Sequence, residues 1–451
     1  MVRSAVADEG LLTYMTNLAK TDTCTVGLIL GQPTSSKDYI IHFAKTPPCH
    51  GDNGKNSNTG KSPKKFADIL DIWVADHARH ATRMLPGGMY VLGIFVVSEE
   101  DILSPFQQKI KTMLGHIHRR LNSNEFLYGN PNIPEKLVVN YCTTTQTYLC
   151  KSYDIETATV KQAEIKFQPK LAVKWLQVEC KYELDQLFPI IEERGNWPLR
   201  RHMQDILASI NENFKSGVFM FDGEIRDGDD CLELVGKKRK VPRAKSGHHE
   251  SGELKPMQVT IIVPCDGRNL GQSLELRSCA GQIRLAGHVA CKLWLHPKAT
   301  VSDASQAVTQ DLVRSLAARL EMHLDSLIEE EHGSPEDTNS IHEPPRRVLV
   351  TLPNSTVTLS DYLFPGEGPQ EAQISLQELL DIEVSEQDAI KDIEGQADLT
   401  ELYNDGLEAD TDEILHRLPR ATNRNIYLGG LAIAFLVLVL SLVLHFVKNY
   451  I

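Results

Sequence analysis

Apolar and polar positions along this chain follow two periods. Short runs rich in β-branched and aromatic residues, bounded by Gly, Pro and Asn clusters, predict strands. They lie at Cys24–Gly31 (CTVGLILG), Tyr39–Ala44, Met89–Val97, Leu137–Cys142, Leu171–Cys180, Val218–Phe221, Val259–Val263, Leu274–Ser278, Ala290–Leu295 and Val348–Leu352. Apolar residues three and four apart predict four helices. The first carries Phe66, Ile69, Leu70, Trp73, His77 and Ala81 on one face. The second begins with Ser104 as cap and Pro105 in the first turn, and its stripe is Phe106, Ile110, Met113, Leu114, Ile117 and Leu121. The third uses Met203, Ile206, Leu207, Ile210 and Phe214; the fourth starts near Ser302, repeats Val308, Leu312, Leu316, Leu320, Leu324 and Leu327, and ends before Gly333. Strands interleaved with helices of this length predict an α/β (α+β) body of layered sheet and helices.

The last apolar run breaks both periods. Between Arg424 and Lys448 no residue carries a fixed charge over 23 positions. At 1.5 Å per helical residue such a run reaches about 35 Å, enough to cross a bilayer core of about 30 Å. Lipid offers no partner to backbone N–H and C=O, so a crossing segment must be helical. Residues 426–447 are therefore expected to form one transmembrane helix, with Ile426, Leu431, Phe435, Leu438, Leu442 and Val447 as anchor residues. Arg417, Arg420 and Arg424 precede it and only Lys448 follows closely, so the positive-inside rule places residues 1–425 in the cytosol. The first twenty residues hold no apolar core long enough for a signal peptide, which agrees with a tail-anchored protein.

Charge divides the rest. The formal net charge is −13, but between Glu367 and Glu413 sixteen acidic residues face one basic residue, Lys391. Residues 1–366 are nearly neutral, with 42 basic and 44 acidic residues. The acidic strip, sparse in apolar residues, predicts a disordered tether over 367–425, with Leu376, Leu379, Leu380 and Ile382 as its one candidate for a short docking helix. Residues 224–256 are charged and poor in apolar residues, and predict a flexible loop between an N-terminal α/β region (1–223) and a second one packed on it (257–366). The nine cysteines are odd in number and form no CxxC pair, as suits a reducing compartment.

Candidate chemistry is thin. Gly54 to Ser62 ends in GKS, but five residues separate its glycines where a phosphate loop needs four. His77 and His80 share a helix side without a third ligand at a helpful spacing, and His116 and His118 diverge. There is no GxSxG elbow, and nothing local activates Cys142 or Cys150. Lys237–Lys240 is a basic run resembling a nuclear signal, but a body without a basic, aromatic-interleaved patch does not predict nucleic-acid binding. No catalytic, cofactor or metal residue is expected.

Several long runs resemble one family. GLILGQPTSSKDYIIHFAKTPP (Gly27–Pro48), WVADHARHATRMLPGGMYVLGIFVVSEEDI (Trp73–Ile102), VFMFDG (Val218–Gly223), IRLAGHVACKLWLHPKATVSDASQAVTQDLVRSL (Ile283–Leu316) and DYLFPGEG (Asp361–Gly368) are similar to the odorant-response-abnormal-4 family. That resemblance implies a membrane protein of the endoplasmic reticulum that aids maturation and trafficking of odorant and other G-protein-coupled receptors. It also implies a ubiquitin-fold-modifier protease as heterodimer partner. In outline the first region also resembles the MPN (JAB-type) metalloprotease fold, whose active members place two zinc histidines just after the glycine that Gly93 would match. Here those positions hold Val96 and Ser98, and valine has no lone pair for a metal, so the resemblance implies a metal-free member. The expected function is a non-enzymatic adaptor. The alternatives are a membrane-anchored hydrolase and a direct chaperone of receptor transmembrane helices.

Overall fold

The computed structural model describes residues 3–21, 23–49, 63–129, 134–169, 173–233, 255–263, 278–330, 343–353, 355–384 and 390–394. All fall in the compact unit Met1–Gln396. The chain opens with β1 (Arg3–Asp8) and α1 (Glu9–Leu18), where the Asp8 carboxylate caps the helix by accepting from Gly10 N–H at 2.8 Å. There follow β2 (Thr25–Gln32), β3 (Asp38–Lys45), α2 (Asp71–Met84), β4 (Tyr90–Ser98), α3 (Gln107–Asn122), the short α4 (Glu125–Tyr128), β5 (Glu135–Cys142), β6 (Thr147–Asp154) and β7 (Val160–Gln168). These strands form a closed barrel in the order β1-β3-β2-β4-β5-β6-β7, sealed by parallel pairing of β1 with β7 from Arg3↔Ala163 to Asp8↔Gln168.

Its central strands are buried at nearly every position, and mostly apolar, because both faces are covered. Ile29, Phe95 and Val139 pack inward with Phe43, Ile40 and Met15 of α1, while Leu28, Ile94 and Val138 pack outward against the α2 and α3 layer. Period two is hidden in such strands, and a continuous apolar run is what remains. At the margins, β6 and β7 expose one face.

A second sheet follows. β8 (Leu176–Ile191), α5 (Leu199–Lys215), β9 (Val218–Phe221), β10 (Glu224–Ile225), β11 (Met257–Ile262) and β12 (Cys279–Leu295) give the strand order β10-β9-β11-β8-β12. β8 and β12 pair antiparallel over nearly their whole length, from Leu176↔Leu295 to Ile191↔Cys279. The long helix α6 (Val301–Glu330) and α5 cover one face, burying Val308, Leu312, Leu316, Ile206, Ile210 and Phe214. Last come β13 (Arg346–Thr351), β14 (Thr358–Leu363), α7 (Pro369–Leu380) and β15 (Ile390–Asp392), with strand order β14-β13-β15. This small sheet joins the core of α2 and α3 through Val348, Val350, Leu359 and Leu376.

Four expectations change. The division at residues 224–256 does not separate two regions, because β8, α5 and β9, all before it, share a sheet and a core with β11 and β12. The acidic strip is not a tether from residue 367. α7 buries Ala372, Leu376 and Leu380, and β15 pairs with β13, so the body continues to residue 394. Acidic residues on the outward side of a helix do not oppose docking when one apolar stripe is intact. Leu70 is 60% exposed because α2 starts one residue later, at Asp71. α3 likewise starts at Gln107, so Ser104 lies before it in a turn. Among the described residues no helix is long and apolar enough to cross a membrane; the expected span at 426–447 lies outside them.

Candidate functional site

The barrel and the second sheet meet at the turn Leu85-Pro86-Gly87-Gly88-Met89, and α6 is built to receive it. A Cβ on Gly87 would stand 2.0 Å from the Ala307 carbonyl oxygen, so only glycine lets the turn lie against the helix. Gly87 N–H donates to Asp311 Oδ1 at 2.8 Å, and Gly88 N–H donates to Gln310 Oε1 at 2.9 Å. The same Gln310 oxygen accepts from Tyr90 OH at 2.9 Å.

Two arginines, each 1% exposed, lie behind this contact. Arg314 has carbonyl partners: Leu127 O at 2.8 Å, Leu85 O at 2.9 Å and Pro86 O at 3.1 Å, with Met89 O and Tyr128 O at 3.3 Å. It thereby satisfies the ends of two turns at once. Arg347 of β13 instead forms a two-pronged ion pair with Asp311, at 2.6 and 3.0 Å, and donates to Ser360 Oγ and Ala290 O. Burial alone would raise the Asp311 carboxyl; the Arg347 charge and these hydrogen bonds outweigh it and hold it below the usual carboxylate value.

Beside this seam opens a cleft of about 1350 Å³, bounded by β3, α4, the start of α6 and the end of α5. Gln32 spans its floor from barrel to sheet, donating to Trp294 O at 3.2 Å and accepting from His296 N–H at 2.8 Å. Tyr39 stacks on His296 at 6.1 Å, meets Trp175 edge-on at 5.8 Å and lies 5.0 Å below Lys37 Nζ. Arg3 of β1 pairs with Asp38 of β3 at 2.6 Å and forms part of the cleft's wall. Behind that wall the Lys136 ammonium group donates to Val91 O at 2.9 Å and Tyr128 OH at 3.0 Å. Burial, aided by the Arg3 charge, pushes the Lys136 pKa down to about 7. The cleft exceeds the range of about 300–1,000 Å³ usual for small-molecule sites.

Val96 lies in the core of the α2 and α3 layer. The Ser98 hydroxyl donates to Glu100 O at 2.8 Å. His77 has both ring nitrogens engaged, with Leu379 O at 2.6 Å and Thr46 Oγ1 at 3.1 Å, and burial lowers its pKa to about 4. His80 contacts Arg83 at 3.5 Å, His116 contacts Arg119 at 3.3 Å, and His118 contacts Asn122 at 2.9 Å. Cys150 is in the barrel core, and Cys142 donates to Glu99 O at 3.0 Å. Among the described residues there is no group of three His, Cys, Asp or Glu placed to hold a metal ion. The anchor residues Ile426, Leu431, Phe435, Leu438, Leu442 and Val447 lie outside the described residues, as do Arg417, Arg420, Arg424, the GKS run and Lys237–Lys240. Gln310, Asp311, Arg314 and Arg347 were not legible as a group. Their one signal is that Asp311 and Arg314 interrupt the apolar stripe of α6 beside Leu312.

The fold and cleft define a mixed α/β body with an open cleft at the joint of its two larger sheets. A sequence model described as Odorant response abnormal 4-like matches residues 27–391, and the chain belongs to that family. It is 29% identical over 388 residues to the human Protein odr-4 homolog, covering 84% of each chain. It is 25% identical to the Drosophila melanogaster Protein odr-4 homolog, covering 96% of this chain and 97% of the relative. It is 25% identical to the Caenorhabditis elegans Odorant response abnormal protein 4, covering 79% and 72%. Among solved structures, the crystal structure of UfSP from C. elegans overlaps 85% of this chain and 57% of its own, at 8% identity and a TM-score of 0.45.

Proposed function

We propose that this chain is a non-enzymatic adaptor at the endoplasmic reticulum membrane, acting in maturation and trafficking of odorant and other G-protein-coupled receptors. The family match over residues 27–391 carries this reading. In it, the apolar run 426–447 anchors the chain with its body in the cytosol, and the body recruits a ubiquitin-fold-modifier protease. Anchoring acts by raising the partner's effective concentration near membrane clients. The Val96 side chain, apolar and in the core where active MPN proteases carry a zinc histidine, supports a scaffold over a metalloprotease.

The test is an affinity pull-down from detergent extract with the full chain and with residues 1–396, read by mass spectrometry. The expected result is a stoichiometric protease of the modifier pathway on both forms, with receptors enriched on the full chain alone. Receptors recovered without the protease, and lost when an unrelated span replaces 426–447, would favour a direct membrane chaperone. Hydrolytic turnover by the 1–396 body without any stable partner would overturn the adaptor reading.

A further inference from the structure

The five-stranded sheet ends on β12, and among the described residues no strand lies along its outer side. Residues 279–288 are exposed there except Ile283 and Leu285, which are half-buried against the α5 core. Farther along, the same edge is closed by side chains. Ala290 N–H donates to Glu394 Oε1 at 3.0 Å, and Ala290 O accepts from Arg347 at 3.0 Å. This fixes a direction. Backbone groups of alternate residues in a strand point the same way, so Gln282, Ala286 and His288 turn their N–H and C=O outward as Ala290 does. Natural edges are blunted by lysine, proline or inward-pointing charge. The segment Gly281-Gln282-Ile283-Arg284-Leu285-Ala286-Gly287-His288 has no lysine or proline, and its Arg284 side chain is held by Asp185 at 2.8 and 2.9 Å.

We propose that this edge is an interface between two copies of the chain, β12 against β12, antiparallel about a two-fold axis at Leu285. The register follows from charge and from which groups are already engaged. An axis at Arg284 would set Arg284 opposite Arg284 of the second copy, and like charges directly opposite are destabilising. An axis at Ala286 would set Gln282 opposite Ala290, whose groups Glu394 and Arg347 already hold. An axis at Ile283 would run the ladder into the irregularity between Cys279 and Gly281. At Leu285, leucine meets leucine, Ala286 meets Arg284, and Gln282 meets His288. Ile283 meets Gly287, where nothing stands within 4 Å of a Cβ position and the backbone, at φ +145°, favours glycine. The contact is isologous, each copy offering the same surface.

The ladder is short, so pairing should depend on concentration. The test is the mass of the full-length chain in mild detergent, by sedimentation velocity over a wide concentration range. The expected result is a shift from one to two chain masses. Ala286→Pro removes an outward N–H at an edge, where proline is tolerated. It is expected to raise the dimer dissociation constant about tenfold or more, because each copy loses a hydrogen bond, and to leave the unfolding midpoint unchanged. Should that variant misfold, Ala286→Lys, solvated in a single copy and set against Arg284 in the pair, gives the same reading. Leu285→Cys is expected to cross-link with oxidised glutathione, the two thiols forming the bond as two reduced glutathiones leave. A wild-type chain that stays single at every concentration overturns the proposal. So does a dimer indifferent to both Ala286 variants, or cross-linking no greater than that of the wild type, whose Cys279 is exposed.

Discussion

The barrel and the five-stranded sheet solve the same problem in different ways. In the barrel, pairing of β1 with β7 removes the edges, and the central strands are buried on both faces. In the open sheet, one face is packed by α5 and α6, the long β8–β12 ribbon runs out into solvent, and the edge is closed at Ala290 by Glu394 and Arg347. A closed region is held by many equivalent contacts. The open region depends on a few charged side chains, and Arg347 joins it to the third sheet while pairing with α6.

The largest effect should come from that dependence. Arg347→Met leaves Asp311 buried without its partner, and breaking one side of a buried pair costs about 3–5 kcal/mol. Urea denaturation of residues 1–396 should show this loss, and Asp311→Asn on the same background should recover part of it. A double variant no more stable than Arg347→Met alone would refute a role for the stranded charge.

The comparison sharpens with core truncations in the two regions. Phe95, fully buried and stacked on Phe43 at 5.0 Å, should cost about 3–5 kcal/mol when changed to Ala. Ile283→Ala, in the half-buried ribbon, should cost about 1 kcal/mol, since its surface is only partly removed from water. Equal losses would mean that the ribbon is as tightly packed as the barrel.

This difference also explains what the sequence reveals. Val26 to Leu30 and Val91 to Val97 are continuous apolar runs because they are covered twice, so their strands stand out. The stripe of α5 is equally legible, since Met203, Ile206, Leu207, Ile210 and Phe214 face a single core. β6 and β7 carry polar residues on an exposed face and were missed, as was the outward half of β12, where Gly281, Gln282 and Arg284 break the apolar pattern. The seam was missed for a further reason. Asp311, Arg314 and Arg347 are charged residues that ordinarily mark surface, and only tertiary placement gives each its partner. Gln32 carries no local sign that it bridges to Trp294 and His296.

An effect smaller than those at Arg347 and Phe95 should follow at α7. His42 Nε2 contacts Leu380 O at 2.7 Å and His77 Nε2 contacts Leu379 O at 2.6 Å, so the two rings cap a helix end. His77→Ala should cost about 1–3 kcal/mol by leaving a buried carbonyl without its donor. Hydrogen exchange should show the loss first in α7, ahead of the barrel. Uniform loss of protection would contradict a local latch.

The last effect is a pH slope, and it sets the barrel wall against the cleft. Lys136 lies behind that wall with its pKa pushed down to about 7, whereas its ordinary value is 10.5. Below pH 7 both folded and unfolded chains carry the charge, and the burial penalty is present in full. Between about pH 7 and 10.5 the unfolded chain binds the extra proton, so this penalty is relieved as pH rises. Lys136→Met removes the group. The stability difference, variant minus wild type, should therefore be most favourable to methionine at or below pH 7 and should shrink steadily above it. The lost hydrogen bonds to Val91 O and Tyr128 OH shift the whole difference but not its slope. Urea titrations of both proteins from neutral to alkaline pH measure it directly. Parallel curves would mean that Lys136 keeps its charge in the folded wall, and that water from the cleft reaches behind Arg3 and Asp38.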